Sequence, residues 1–451
     1  MSHSQTVDHQ QVPVMPVSSY PSPQYAWFMV ILLTLAYIVS YVDRYILGLL
    51  VEPIKADLGL TDTQIGILMG PAFGLVYATM GLPIGWLADR RRRTWIVAAG
   101  IGLWSIATAA TGLAKNFAHV FAARMSVGIG EATLSPCTMS MISDSFEPKR
   151  RGKPIAFYTA ALSLGAGIAS LVAAGVLNWA KSVPQIELGP LGVLAPWQFI
   201  FIIVGVPGIF LSLIFLVLRE PPRAERTDQS GPQMSFGDML THVRDRFTAY
   251  FGIVAMCAAM MIVAYSQGWL AATFERTWGW SAEKYVFINA IVLLSVGPAT
   301  VNFAGWLSDR LFEKGVREAP YLILLTGICI LVPTGIVATL MPNGAVAFAI
   351  LAVNTVGIAL ASAVGPTALL NITPESIRGQ VVALYYMVAS LSGLMFGPMT
   401  VSLLSDNVFG NENLNWAVSS VPLIFGVPAL LYGFYAKRAY INELNQINPA
   451  K

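Results

Sequence analysis

Charged side chains are scarce in this sequence. Only 11% of its 451 residues are charged, whereas 55% are hydrophobic and the mean hydropathy is +0.64. A soluble domain has about a quarter of its residues charged, so this composition excludes an ordinary soluble protein. It predicts a polytopic membrane protein that is surrounded by the lipid bilayer and has no nucleic acid as a partner.

Cysteine and histidine are also few. The three cysteines lie singly in apolar runs, so neither a disulfide framework nor a bound metal is indicated. The four histidines lie away from the expected cavity, which argues against a histidine proton relay; they are His3, His9, His119 and His242. The sequence contains no nucleotide-binding motif and no nucleophile–base set. We therefore expect no enzymatic activity, no cofactor, and an ion gradient as the energy source.

Apolar runs of about 20 residues, the length that crosses a bilayer as a helix, occur repeatedly along the chain. The sequence therefore predicts an all-α membrane protein with twelve transmembrane helices. The twelve runs are 27–50, 64–88, 94–113, 118–143, 154–178, 197–218, 248–273, 285–308, 320–340, 345–370, 380–404 and 417–436.

The basic residues predict how these helices are oriented. Most of the 27 lysines and arginines fall in alternate loops, which are the loops that face the cytoplasm. We expect a multi-pass, monomeric protein of the cell (inner) membrane, with both termini and the middle loop in the cytoplasm. Within that middle loop, the stretch 234–247 is predicted to form a short amphipathic helix on the membrane surface. The predicted domains are a disordered tail at 1–24, a six-helix bundle at 25–218, a linker at 219–247, a second six-helix bundle at 248–437 and a tail at 438–451.

A repeated motif indicates that the chain arose by duplication. Residues 85–93 read GWLADRRRR, and residues 305–310 read GWLSDR. A second pair of matching segments, 151–153 and 378–380, lies at nearly the same spacing. Two parallel halves of six helices are typical of a transporter that holds its substrate near the middle of the membrane.

The motif at 85–90 resembles the signature of the major facilitator superfamily, although Arg92 stands where that signature usually has glycine. Further segments are similar to the spinster branch: DRY at 43–45, RMSVGIGEA at 124–132, and FY at 157–158 followed by GAG at 165–167. The resemblance implies the major facilitator fold of two pseudo-symmetric bundles. It also implies a substrate of lipid type, such as a lysophospholipid or a phosphorylated sphingoid base, and coupling to protons.

Four ionisable side chains fall inside predicted helices of the first half, namely Asp43, Arg44, Arg124 and Glu131. Each costs about 2.5–3.5 kcal/mol in a membrane, so such residues rarely persist without a partner or a function. We predict that Glu131 gains and loses a proton and that Asp43 pairs with Arg124 in one state. Movement of Arg124 between the two acids would couple protonation to conformation. The alternative is a static ion pair that joins the first and fourth helices.

The substrate contacts are predicted from the same region and from aromatic residues. Arg44 either faces the cavity and meets an anionic head group or pairs with groups of another helix near Asp43; Arg124 and Glu131 are further candidate contacts. The aromatic candidates for lining an apolar tail are Phe73, Tyr77, Tyr158, Trp269 and Tyr385, although aromatic packing against lipid or other helices is as common. Because polar residues such as Gln267 are few, an amphipathic anion is favoured. A small organic anion or a drug is the alternative substrate.

The repeated motif is predicted to form a cytoplasmic gate, as the resemblance implies. The acid of the motif would lie at the N-terminus of the eleventh helix, where unpaired N–H groups and the helix dipole favour an anion. Asp309 would act in the same way against the fifth helix. Small residues permit close helix approach, and the remaining arginines at 91–93 are assigned to topology alone. The predicted gate residues are Gly85, Asp89, Arg90, Arg151, Gly305, Asp309 and Arg310.

Overall fold

The structure is a computed structural model that describes residues 20–147, 150–182, 186–187, 193–223 and 236–447. The first half contains α1 (Pro23–Leu49), α2 (Val51–Leu58), α3 (Asp62–Met69), α4 (Pro71–Arg90), α5 (Arg93–Thr111), α6 (Phe117–Glu131), α7 (Leu134–Ser145), α8 (Gly152–Lys181) and α9 (Pro196–Val217). Between α8 and α9, the short strands β1 (Ile186–Glu187) and β2 (Val193–Leu194) pair antiparallel.

The second half is also helical. It contains α10 (Phe236–Asp245), α11 (Phe247–Ser266), α12 (Leu270–Trp278), α13 (Ala282–Glu313), α14 (Ala319–Ala338), α15 (Gly344–Asn371), α16 (Arg378–Leu404), α17 (Leu414–Val421) and α18 (Val427–Ile447). Short 3-10 turns lie at Gln267–Trp269, Glu375–Ile377 and Asn411–Asn413, and π turns lie at Ser405–Phe409 and Pro422–Gly426.

The predicted all-α membrane class is confirmed. Ten segments of the described chain are helices long and apolar enough to cross a membrane. The other two predicted spans coincide with α8 and with the pair α6–α7, so a helix or helix pair lies at each of the twelve predicted positions. We call the end of the bundle that carries Pro23 and Ile447 the inner end, and the opposite end, with α2 and α12, the outer end.

Several predicted spans are interrupted near the middle of the bundle. The second span breaks at Gly70, where Pro71 begins α4 and supplies no backbone N–H to the preceding turn. The seventh span breaks at the 3-10 turn Gln267–Trp269. The fourth span breaks directly after Glu131, where the Thr133 hydroxyl donates to the carbonyl oxygen of Gly130 at 2.7 Å. Such interruptions expose backbone and polar groups at membrane depth, which is tolerated where they line a cavity.

The ends of the chain and the linker differ in part from the prediction. Helix α18 continues to Ile447, and Tyr440 is fully buried against Tyr321 with 4.4 Å between the ring centroids. Most of the predicted C-terminal tail is therefore a packed helix. Of the predicted N-terminal tail, residues 1–19 lie outside the described residues, as do linker residues 224–235.

The predicted linker helix is present as α10. Its Met239 is fully buried, so the helix packs on the bundle as well as facing outward. Burial lowers the pKa of the His242 imidazole below its usual value, and the nearby Arg246 guanidinium lowers it further. His242 lies at the inner end, away from the cavity, as the sequence predicts.

The two halves meet along two seams, α8 against α13 and α3–α4 against α16. In the second seam, Gly66, Gly70 and Gly74 recur at every fourth position and face α16. A Cβ atom on Gly70 would lie 2.4 Å from the carbonyl oxygen of Leu394, and one on Gly66 would lie 2.0 Å from the hydroxyl oxygen of Ser402. Only glycine permits this approach, which closes the seam from the middle of the bundle to its outer end.

Candidate transport site

A cavity of about 260 Å³ lies between the two halves. The first half contributes α1, α3, α4, α6 and α8 to its wall, and the second half contributes α11, α12, α13, α16 and the 3-10 turn between α11 and α12. Most of the wall is aromatic or aliphatic. Apart from tyrosine hydroxyls, its polar side chains are Arg44, Arg124, Ser170, Gln267 and Asn289.

Arg44 and Glu131 form an ion pair at the wall of this cavity. The Arg44 Nε donates to Glu131 Oε2 at 2.5 Å, and the Ser40 hydroxyl donates to the same oxygen at 3.1 Å. The Glu131 side chain is 1% exposed, and its Oε1 has no hydrogen-bond partner among the described residues. A proton can therefore bind Oε1 without displacing an existing hydrogen bond.

Aromatic rings hold the Arg44 guanidinium in place. Its central carbon lies 4.7 Å from the ring centroid of Phe73, 4.9 Å from that of Tyr77 and 5.7 Å from that of Tyr41. Cation–π contacts of this kind stabilise a cation more strongly when water is largely excluded. Because 13% of the Arg44 side chain stays exposed and the residue lines the cavity, it faces the space where a substrate would lie.

Asp43 and Arg124 lie beside this pair but do not form the predicted carboxylate contact. The Asp43 Oδ2 accepts from the Thr108 hydroxyl at 3.1 Å, and its Oδ1 has no partner among the described residues. Arg124 donates instead to the backbone oxygens of Asp43, at 3.4 Å, and Leu68, at 3.3 Å. Neighbouring residues of a helix point about 100° apart, and in this conformation it is Arg44 that points at the acid of α6.

Three of the predicted aromatic contacts are packing residues here and do not line this cavity. Tyr158 is buried and stacks on Tyr37 with 5.0 Å between centroids. Trp269 is fully buried, and its indole Nε1 donates to the carbonyl oxygen of Pro398 at 3.0 Å. Tyr385 is 5% exposed within the second half. Of the five predicted aromatic residues, Phe73 lines the cavity and Tyr77 contacts Arg44.

The cavity wall also contains tyrosines that were not predicted, namely Tyr41, Tyr45, Tyr265 and Tyr285. The first of them lies three residues before Arg44 on α1 and therefore on the same face, so helical periodicity could have identified it. Tyr265 and Tyr285 come from α11 and α13, and their positions follow from how the two halves meet. No pattern in the sequence distinguishes these two from other tyrosines.

A buried amide pair lies on the side of the second half. The Gln267 Nε2 donates to Asn354 Oδ1 at 2.9 Å. Asn354 is fully buried, and its own Nδ2 donates to the Leu331 carbonyl oxygen at 2.8 Å and to the Thr334 hydroxyl at 3.0 Å. These bonds fix the orientation of the Gln267 amide, which lines the cavity.

The predicted gate glycines and acids lie at the inner end of the bundle, and the glycines make no close contact with another helix there. A Cβ atom on Gly85 or Gly305 would meet no atom within 4 Å, so neither glycine is a point of close helix approach in this conformation. Asp89 and Asp309 are exposed. The Arg223 guanidinium donates to the carbonyl oxygen of Asp89 and thereby caps the end of α4 from within the same half.

The predicted gate arginines also contact their own half. The Arg90 guanidinium lies 4.1 Å from the ring centroid of Trp86, and the equivalent Arg310 lies 5.1 Å from that of Trp306. The Arg151 Nε donates to the carbonyl oxygen of Phe146 at 3.0 Å. A cytoplasmic latch between the halves therefore stays a prediction for a different conformation.

Arg93 has a structural role beyond topology, contrary to the prediction. Its side chain is 1% exposed, and its Nε donates to Glu220 Oε1 at 2.8 Å. It also donates to the Ser140 hydroxyl at 2.8 Å and bonds to the Asp144 carboxylate. These bonds tie the start of α5 to α7 and to the segment after α9.

Two helical bundles around a central cavity with buried charges define a membrane transporter of the two-bundle class. Residues 33–398 match the family model of the Major Facilitator Superfamily, and the chain belongs to that family.

Individual relatives refine the comparison. The chain is 28% identical over 389 residues to an MFS-type efflux pump of Mycolicibacterium smegmatis, covering 86% of each protein. It is 23% identical to Protein spinster of Drosophila melanogaster, over 90% of this chain and 67% of that protein. It is 25% identical to a D-galactonate transporter of Escherichia coli O6:H1, over 70% of this chain and 76% of that protein. The resemblance to spinster proteins is thus confirmed.

Among solved structures, the chain is similar to a bacterial homolog of the human lysosomal transporter Spinster in an inward-facing and unoccupied conformation. The TM-score is 0.80 at 25% identity, covering 94% of this chain and 99% of that protein.

Proposed function

We propose that this protein is a proton-coupled secondary transporter that moves an amphipathic anion, of lysophospholipid or sphingoid type, by alternating access. The observation that carries the proposal is the buried Arg44–Glu131 pair at the wall of a cavity between the two halves. We further propose that it works in the cell inner membrane with its inner end in the cytoplasm. We also propose a monomer as the working unit.

Competition for Arg44 provides the coupling. An anionic substrate that binds the Arg44 guanidinium takes the place of Glu131 as its counter-charge. Glu131 would then be a buried charge without a partner, which is costly in a membrane protein. A proton on the free Oε1 removes that charge, so the anion and the proton enter the cavity together. Asp43, whose Oδ1 likewise has no hydrogen-bond partner in the described part of the chain, is the second proton acceptor in this scheme.

The chemistry of the wall supports an amphipathic substrate. Aromatic and aliphatic side chains make up most of the lining, while the two basic residues Arg44 and Arg124 both belong to the first half. An anionic head group at the arginines and an apolar body along the remaining wall satisfy both regions. The volume of about 260 Å³ is small for a ligand pocket, so it suits the head group and the first part of a chain.

A compact sugar acid is the second candidate substrate. It is favoured by the fixed Gln267 amide, which can bond to hydroxyl groups, and by Asn289 in the same wall. The similarity to a D-galactonate transporter supports the same class. A site built to bond hydroxyls discriminates strongly against ligands that lack them, so the two substrates can be separated by experiment.

The test uses the purified protein in proteoliposomes with an imposed inward proton gradient. Uptake of a lysophospholipid, a sphingoid phosphate and D-galactonate is measured at acid and at neutral external pH. We expect the lysophospholipid or the sphingoid phosphate to accumulate, and a protonophore to abolish the accumulation.

Protein-free liposomes correct for passive insertion of the lipids. Accumulation of D-galactonate alone would replace the first candidate by the second. Accumulation that follows a sodium gradient and ignores the proton gradient would overturn the coupling.

A further inference from the structure

A cluster of charged side chains joins the outer ends of the two halves, away from the transport site. Arg276, near the end of α12, makes a bidentate contact with Asp62, the first residue of α3. The Nη1–Oδ2 distance is 2.8 Å and the Nη2–Oδ1 distance is 3.0 Å. The Arg276 Nε also donates to Glu52 Oε1 of α2 at 2.8 Å. Each of these bonds crosses from the second half to the first.

Burial makes this contact more than a surface ion pair. The Asp62 side chain is fully buried, and those of Arg276 and Glu52 are 12% and 31% exposed. Exposed ion pairs contribute little to stability. A bidentate guanidinium–carboxylate pair with one fully buried partner is geometrically specific, and removing one of its members leaves the other without its counter-charge.

A second set of bonds joins α3 to the outer end of α16. The Ser405 hydroxyl donates to Asp62 Oδ2 at 2.7 Å, and the backbone N–H of Thr63 donates to Asp406 Oδ2 at 2.6 Å. Ser405 and Asp406 begin the π turn Ser405–Phe409. Such turns are often found at functional positions in helices.

The charged cluster continues the glycine seam toward the outer surface. Asp62 lies four residues before Gly66, the first glycine of the stripe that packs on α16. In the π turn that continues α16, Asp406 lies four residues beyond Ser402, which faces Gly66. Residues four apart share one face of a helix. The same two faces therefore make glycine contacts in the middle of the bundle and charged contacts at its outer end.

Lys55 gives Asp62 a second basic partner from the same half. The Lys55 ammonium bonds to Asp62 Oδ1, while Arg276 reaches both carboxylate oxygens from the opposite half. Separation of the outer ends breaks the Arg276 contact but leaves the Lys55 contact in place. The carboxylate thus keeps a counter-charge when the halves part.

We propose that Asp62, Arg276 and Glu52 form an outer lock that holds the extracellular end of the cavity closed and opens once in each transport cycle. Lys55 is the replacement partner that lowers the cost of opening. The proposal rests on the alternating-access part of the proposed function and on no statement about the substrate or protons.

The lock is tested by distance measurements between spin labels on the outer ends of the two halves. Cysteines replace Ala56 of α2 and Glu412 after the π turn, both of which are exposed, in a background that carries Cys329→Ala. Distances are recorded in liposomes without substrate or gradient. We expect the parent protein to show mainly the short distance of the closed outer end.

Removal of Arg276 and removal of Lys55, the two basic partners of Asp62, should shift the distances in opposite directions. Arg276→Gln should raise the ratio of long to short distances by ~10-fold or more, the effect of losing hydrogen bonds to a charged group. Lys55→Gln should lower that ratio, because opening then leaves Asp62 without a counter-charge. A merely structural role for both residues would loosen the outer end in both variants, and that result overturns the proposal.

Lys284→Gln is the matched control. Lys284 lies in the same half and at the same end as Arg276, but its ammonium contacts the Trp280 ring at 4.1 Å. We expect parental distances in this variant. Equal distances in Arg276→Gln and Lys284→Gln would also overturn the lock.

A conservative variant covers the case in which Arg276→Gln does not fold. Arg276→Lys keeps the charge but cannot make the bidentate contact, so it should give a smaller shift toward long distances. Uptake measured with the same liposomes separates the two proposals. Absence of transport by the parent protein, together with shifted distances in Arg276→Gln, contradicts the proposed function alone. Transport by the parent protein, together with unshifted distances in Arg276→Gln, contradicts the lock alone.

Discussion

The first half of the molecule buries four ionisable side chains around the cavity, whereas the second half offers amides and hydroxyls there. Arg44 and Glu131 pair in the first half, and Gln267 and Asn354 pair in the second. Both halves are nevertheless helical and carry the same motif at their inner ends. In the predicted duplication, the helices and the motif would have been kept while the chemistry of the cavity diverged. We infer that the first half couples transport to protons and that the second half selects the body of the substrate.

Because the first half is inferred to couple transport to protons, Glu131→Gln should have the largest effect on substrate accumulation. The variant keeps the shape of the side chain but cannot release a proton, so accumulation against a gradient should be lost. Exchange of substrate across the membrane should remain, because the halves can still move. Gradient-driven uptake and counterflow in proteoliposomes measure the two activities.

Glu147→Gln is the control for this first prediction, since Glu147 is a half-exposed residue at the inner end that pairs with Arg150. Gradient-driven accumulation at the parental level in Glu131→Gln would remove this acid from the coupling.

Arg44→Gln should have the next largest effect, which is a loss of affinity for the anionic substrate. Loss of the charged hydrogen bond removes about 1.5–3 kcal/mol, which corresponds to ~10–100-fold weaker binding of the anion. Equilibrium binding to the purified protein measures the change. Arg92→Gln is the control, because the Arg92 side chain is half exposed at the inner end. Unchanged affinity in Arg44→Gln would place the anion elsewhere.

Asn354→Leu probes the second half and should have a smaller, substrate-dependent effect. Gln267 loses the partner that orients it, so the KM for a hydroxylated anion should rise several-fold, given about 1 kcal/mol for a typical hydrogen bond. The KM for a lysophospholipid and the dependence on the proton gradient should stay unchanged. Equal effects on both substrates would show that Asn354 only supports the fold.

Substitution of the acids in the repeated motif should have the smallest effect, a shift in the ratio of conformations. An acid at a helix N-terminus contributes about 0.3–1 kcal/mol, so Asp89→Asn or Asp309→Asn should change the ratio of conformations by only ~2–5-fold. Spin labels on the inner ends measure this ratio. A difference between the two variants would show that the halves have diverged at the gate as well as in the cavity. Identical distances in both variants and the parent protein would exclude the latch.

Much of the fold could be predicted because hydropathy is a local property. A run of about 20 apolar residues has few stable alternatives to a membrane helix. The described chain accordingly has a helix or helix pair at each of the twelve predicted positions. The end of α18 was misplaced because its last turns are polar, and burial of Tyr440 depends on α14. The helix breaks at Gly70 and Thr133 were missed because the apolar run continues through them, although Pro71 and the Thr133 hydroxyl are local features of the breaks.

The candidate site could be predicted in part. Asp43, Arg44, Arg124 and Glu131 stand out because charges at membrane depth are costly. Their pairing could not be predicted, because the direction of each side chain depends on the rotation and packing of α1 and α6. Arg276 gave no signal, since a basic residue at the end of a membrane helix is ordinary until its partner is known.

The sequence by itself determined the class of protein, the positions of the helical spans, the repeated motif and the few residues whose charge is out of place in a membrane. These properties depend on composition and on spacing along one helix. Only the tertiary structure decided that Arg44 pairs with Glu131, that Tyr158 and Trp269 pack away from the cavity, and that charged bonds join the outer ends of the two halves. Those contacts join residues that are far apart in the chain, and their energies depend on distances of a few ångströms that no local pattern records.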